Sequence, residues 1–170
     1  MIPSATNSKP DGHPNARRID RLLAEYGESH RNPVNKLIHW VAVPVIAWTV
    51  LALLSELPTP AAFRPSWLIN WASLAAVAAT LYYLTLSVPL AIGMALFSLL
   101  CFAVMAACRA GVALPLWQLA LAVFVVAWIF QFVGHKIEGK KPSFFQDVQF
   151  LLIGPAWLLH YVYRLLGVRY

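Results

Sequence analysis

Charge is what this chain has least of. Asp, Glu, Lys and Arg make up 12% of its residues, against ~25% in soluble domains, while 60% of residues are hydrophobic. No formal charge occurs from Leu37 to Ser55, from Ser66 to Cys108 or from Ala110 to Val133. A chain of 170 residues cannot hide that excess inside itself, so a soluble globule is excluded and lipid becomes the solvent for much of the surface. Cysteine is scarce as well. Cys101 and Cys108 lie on one face of one apolar run, too far apart along it to bond each other, so packing is their role. A Gly-rich phosphate loop, a Gly-x-Ser-x-Gly elbow and the dense HxxxH and HxxHH boxes of membrane di-iron enzymes are all missing. The first 36 residues scatter cations with no central apolar core, so no cleavable signal peptide is expected.

The cations that are present sit at the edges of the apolar runs. The formal charge of +6 therefore points to anionic lipid headgroups and membrane topology, with no nucleic-acid partner. Residues 1–16, rich in Pro, Ser, Asn and Gly, read as a disordered head, and 17–170 as a single integral-membrane domain. Ile19, Leu22, Leu23 and Tyr26 recur at helical spacing and predict an amphipathic helix on the membrane surface, ended by Gly27. Asn32-Pro33 is a helix start, since Asn caps and Pro fits the first turn. The first span follows, kinked at Pro44. After a Pro-rich loop over Glu56–Pro65, Ser87-Val88-Pro89 divides the next run into a hairpin of about 67–86 and 90–108. Leu114–Val133 is the fourth span. Asp147–Arg164 has a short apolar interior broken at Gly154-Pro155, which favours an interfacial or re-entrant helix over a tilted fifth span. The expected fold class is thus an all-α polytopic membrane bundle.

Four spans place both ends of the chain on one side. That side collects Arg17, Arg18, Arg21, Arg31, Lys36, Lys136, Lys140, Lys141, Arg164 and Arg169, while the other has Arg64 and Arg109. The positive-inside rule makes the crowded side cytoplasmic, in either a bacterial inner membrane or the endoplasmic reticulum. The start of the first span and the end of the fourth then lie at similar depth. His30, His39, His135 and Glu138 can converge there, and His160 can return to the same layer. Along one continuous helix His30 and His39 would face opposite ways, but the break at Asn32-Pro33 lets His30 fold back. Ionisable residues at membrane depth are costly and usually functional. Imidazole suits Fe, Zn and Cu, and histidines with a carboxylate and open positions suit non-haem Fe(II). The plain alternatives are a lysine-rich helix end with solvated His and Glu, a helix-capping His30 and an interfacial His160. His13 falls in the head and is set aside. Arg31, Lys36 or Lys136 could hold a substrate carboxylate.

Two blocks add to this reading. One is His30-Arg31-Asn32-Pro33-Val34-Asn35-Lys36-Leu37-Ile38-His39. The other is Trp128-Ile129-Phe130-Gln131-Phe132-Val133-Gly134-His135, followed by Glu138, Lys141-Pro142 and Gly154-Pro155. Together they resemble the Mpo1-like (DUF962) family over nearly everything after Tyr26. The resemblance implies an Fe(II)-dependent membrane dioxygenase that uses O2 to shorten 2-hydroxy fatty acids by one carbon, in α-oxidation. His30, His39 and His135 would be the iron ligands, with Glu138 beside them. A competing class is a non-catalytic membrane protein that binds lipid or a partner, with a structural metal or none. A haem protein using a His pair is a third. An open coordination position would separate catalysis from structure. Oligomeric state has no sequence signal.

Overall fold

The computed structural model describes residues 17–60, 69–141 and 149–170. The expected disordered head, the cation Arg64 and part of the Pro-rich loop lie outside the described residues. Within them the chain is all helical, with no strand: α1 (Arg18–Glu28), α2 (Pro33–Ser55), α3 (Trp71–Leu84), α4 (Val88–Gly111), α5 (Leu116–Glu138) and α6 (Phe150–Leu165). Among the described residues, α2, α4 and α5 are long and apolar enough to cross a membrane. At 23 residues, α2 extends roughly 34 Å, against a ~30 Å hydrocarbon core. The third helix is apolar but shorter, with 14 residues where the sequence suggested about 20. Outward side chains on the long helices remain bare in the isolated chain: Leu37 is 67% exposed, Leu96 62% and Ile129 56%. Such a surface is stable only against lipid or another apolar body.

Local chemistry starts these helices where the sequence suggests. Asn32 caps α2, its Oδ1 accepting from the Val34 N–H at 2.9 Å, with Pro33 at the first position. Ser87 caps α4 ahead of Pro89. Pro44 lies inside α2 without ending it. Two endings differ from expectation. The first helix runs on through Gly27 to Glu28, and Gly27 lies inside it against the Trp157 indole. The last helix is not broken at Gly154-Pro155. Pro155 lies near its first turn, so the missing N–H removes a single bond. Gly154 meanwhile admits the Tyr26 hydroxyl and Val43 to close contact.

Polar contacts fix which helix ends lie together. The Arg109 guanidinium reaches Glu56 at 2.7 Å and Ser55 Oγ at 2.9 Å, joining the ends of α2 and α4. Trp71 Nε1 donates to the Pro58 carbonyl at 2.9 Å, so α3 begins at that same end. At the opposite end Tyr83 Oη donates to Leu152 O and Tyr163 Oη to Pro89 O, each at 2.6 Å, tying the α3–α4 turn to α6. The fifth helix runs antiparallel to α2 along their length.

The main core lies at this second end. Ile19, Leu22, Leu23 and Tyr26 of α1 are 0–7% exposed and pack with Ile153 and Trp157 of α6 and Leu90 of α4. The apolar face of α1 therefore meets protein, not the membrane surface. A smaller core at the first end joins Ala52, Met105, Leu116 and Ala120.

Candidate functional site

Three histidines meet where α2 begins and α5 ends. His30 leads into α2, His39 lies inside it, and His135 is near the last turn of α5. Their exposures are 1%, 1% and 5%. Ring centroids are 4.2 Å apart for His30–His39, 5.2 Å for His30–His135 and 4.9 Å for His39–His135. One ring nitrogen from each lies within 4.8 Å of the other two. Among the described residues this is the group of His, Cys, Asp and Glu close enough to share an ion.

The hydrogen bonds set the tautomers. His30 Nδ1–H donates to the Tyr26 carbonyl at 2.6 Å, and His39 Nδ1–H to the Asn35 carbonyl at 2.9 Å. A carbonyl can only accept, so Nε2 of each ring carries a free lone pair. His30 Nε2 and His135 Nδ1 are buried without any partner among the described residues. Burial also pushes the His30 pKa below the usual imidazole range, leaving it neutral at pH 7. Buried imidazoles grouped with orphaned nitrogens fit a transition-metal ion, and iron is among those imidazole suits. Tyr26 stacks on His30 with ring centroids 4.2 Å apart and planes 15° off parallel, and Trp157 stands behind it at 5.4 Å.

Glu138 has a different place from the one expected. It stands outside the three-histidine group. Its carboxylate accepts from the Arg31 N–H at 2.9 Å, the Asn32 N–H at 2.8 Å and Asn35 Nδ2 at 3.1 Å. These are charge-assisted bonds to the strand of chain that carries His30. Asn35 also donates to Ser29 O at 3.1 Å, and Lys140 Nζ to Glu28 O at 2.9 Å. Gly134 makes the joint possible, since a Cβ there would overlap Asn35 Oδ1. Gly139, at φ 72°, ends α5 in the left-handed conformation that suits glycine. His160 stands apart as well. It sits on α6 against Tyr161 and bonds the Tyr170 hydroxyl, so its ring is turned away from the three others.

The histidines form one end of a cavity of about 540 Å³, within the ~300–1,000 Å³ of small-molecule sites. Its long wall is one face of α2, from His39 through Val43, Ala47 and Val50 to Leu54, and α3, α4, α5 and the start of α6 close the other sides. Fifteen helical steps from His39 to Leu54 make that wall roughly 22 Å long. Arg31, Lys36 and Lys136 do not line it; Arg31 and Lys136 are exposed and Lys36 half-buried. Gln131 does line it, at 8% exposure. Sequence reasoning gave Gln131, Tyr26, Asn35 and Gly134 no site role. The signals were present: Gln131 is four residues before His135, and Gly134 touches it.

The Glu138 joint makes a testable demand. Gly134→Ala should lower stability by about 1–3 kcal/mol through overpacking. Glu138→Ala should cost about 1–2 kcal/mol through lost hydrogen bonds to a charged group. Both act on Asn35, so the double variant should lose clearly less than the sum. Thermal unfolding in detergent measures this, and additive losses would show two independent contacts.

Residues 16–166 match the family described as 2-hydroxy-palmitic acid dioxygenase Mpo1-like. The chain is 30% identical over 139 residues to the 2-hydroxy-palmitic acid dioxygenase MPO1 of Saccharomyces cerevisiae, a match covering 81% of this chain and 75% of the yeast protein. No solved structure matches it significantly. Matched over most of its length, with the histidine blocks that suggested the resemblance now side by side in space, this chain belongs to the Mpo1-like family.

Proposed function

We propose that this protein is an Fe(II)-dependent membrane dioxygenase that shortens 2-hydroxy fatty acids by one carbon with O2. The carrying observation is a junction: three buried imidazoles at the end of a long apolar cavity. A lone metal site would not need the cavity, and a lipid pocket would not need the orphaned nitrogens. The name of the yeast relative supports the same substrate class.

In this reading His30, His39 and His135 hold the iron. Bound there, iron supplies the oxygen activation that side chains lack. Everything else falls to the chain itself. Three protein ligands leave coordination positions for the acid's polar end. The α2 wall takes the alkyl tail, whose extended length is comparable with the cavity. Tyr26 and Trp157 shield His30 from water, and the two Nδ1–H bonds hold the Nε2 lone pairs inward. Glu138 keeps the His30 segment docked on α5. Arg31, Lys36 and Lys136 raise the local concentration of an anionic acid by their field, without gripping it.

The same reading includes a topology. The Arg109–Glu56 contact puts the ends of α2 and α4 together, while α4 starts at the other end. In this reading α3 makes the return between Glu56 and Ser87, which gives four crossings in one domain over 17–170. The histidine end carries Arg17, Arg31, Lys36, Lys136 and Lys140 and faces the cytoplasm, in a bacterial inner membrane or the endoplasmic reticulum.

Two experiments test this. Anaerobic loading of detergent-purified protein should give stoichiometric iron, and the loaded protein should consume O2 with 2-hydroxypalmitate and release a product one carbon shorter. His39→Ala and His135→Ala should lose the iron while staying folded, with His13→Ala as a control outside the described residues. Full occupancy in both would remove the centre and the function with it. For topology, single cysteines at Glu28, Ser87 and Lys140, in a Cys101→Ala, Cys108→Ala background, should be labelled from the cytoplasmic side. Cysteines at Glu56 and Ala113 should be labelled from the other side. Labelling of Ser87 together with Glu56 would rule out the α3 crossing.

A further inference from the structure

Gln131 carries a buried amide oxygen, Oε1, with no hydrogen-bond partner among the described residues. It lies on α5 four residues before His135, so the two share a helix face. It is 8% exposed, and it lines the cavity that the three histidines close. Two hydroxyls that line the same cavity are committed elsewhere: Tyr83 Oη donates to Leu152 O at 2.6 Å and Ser98 Oγ to Met94 O at 2.9 Å. An unpaired buried acceptor costs ~1–3 kcal/mol, and a polar side chain inside an apolar span is expensive and usually functional. The charge-free walls around it give no packing reason to prefer Gln over Leu or Met.

The missing partner has to be a donor. On the proposed substrate the choice is narrow. An ionised carboxylate is acceptor-only. The alkyl tail offers nothing polar. In a 2-hydroxy acid anion the 2-hydroxyl is the single O–H, and it sits beside the carboxylate that would approach the histidines. We infer that Gln131 reads the 2-hydroxyl, its Oε1 accepting the O–H, and so is the residue that separates 2-hydroxy acids from plain fatty acids. The inference rests on the substrate class proposed above. It adds a specificity determinant in the protein, separate from any grip that the metal has on the same hydroxyl. A site built to hydrogen-bond a substrate hydroxyl rejects the analogue lacking it much more strongly than an apolar pocket does.

The test is a cycle of two acids and two proteins. Iron-loaded protein is held without oxygen, and 2-hydroxypalmitate and palmitate each displace a fluorescent fatty acid from wild type and from Gln131→Met. Any contribution of the metal to the hydroxyl is common to both proteins and cancels. Gln131→Met should weaken 2-hydroxypalmitate at least about tenfold and leave palmitate within about twofold or tighter. Iron content should not change, and the unfolding midpoint should hold or rise, since the variant removes a buried unpaired acceptor. Gln131→Leu replaces the methionine variant if that form does not purify. Equal weakening of both acids would show that Gln131 only shapes the cavity, and no change in either would show that it does not touch the ligand; each overturns the inference while the proposed function stands. If wild type binds neither acid, the substrate reading fails, and the role of Gln131 falls with it.

Discussion

One carboxylate sets where the two halves of the site meet. Glu138 binds the Arg31 and Asn32 N–H groups and the Asn35 amide, across more than a hundred residues of chain. That contact fixes the register of α2 against α5, and the three histidines are read out from it. His30 comes before the cap, His39 follows Asn35 by one turn, and His135 precedes Glu138 by three residues. A slip of one residue would rotate a helix by ~100° and turn its histidine out of the group. Gly134 and Gly139 are small for related reasons: one leaves room for Asn35, and the other lets the chain turn away after the joint.

The joint also explains how an unfavourable arrangement persists. Three imidazoles are buried, two of them with a ring nitrogen that finds no partner among the described residues. Each such nitrogen costs stability in the absence of a ligand. The surrounding structure absorbs that cost through the α1–α6 core behind His30, where Tyr26 and Trp157 pack, and through the charge-assisted bonds to Glu138. Functional sites are commonly held in this way, with strain or desolvation at the centre and good packing around it. The cavity then continues from the histidines along α2, so polar chemistry and apolar binding share one helix face.

Much of this was legible in the residues. Asn32-Pro33 announced both the helix start and the fold-back of His30, because a capping Asn and a first-turn Pro carry their own geometry. The long charge-free runs announced α2, α4 and α5. Other features were hidden for physical reasons. The apolar stripe of α1 has the same spacing whether it meets lipid or protein, so its burial under α6 had no local signal. Pro155 reads as a breaker in isolation, but near a helix start it removes only one bond. Glu138 looked like a ligand because carboxylates bind metals and backbone N–H groups equally well; what selects between them is the distance to a segment far away in sequence. His160 shared the ligand chemistry but lay on a helix turned toward Tyr170.

The central claim is that His30, His39 and His135 together hold one iron ion. X-ray absorption of the iron-loaded, oxygen-free protein tests it most directly. The account predicts a nitrogen and oxygen shell whose multiple-scattering pattern counts three imidazoles, with no sulfur, and a change in that shell when 2-hydroxypalmitate is added. A shell with fewer than three imidazoles, or one containing cysteine sulfur, would contradict it.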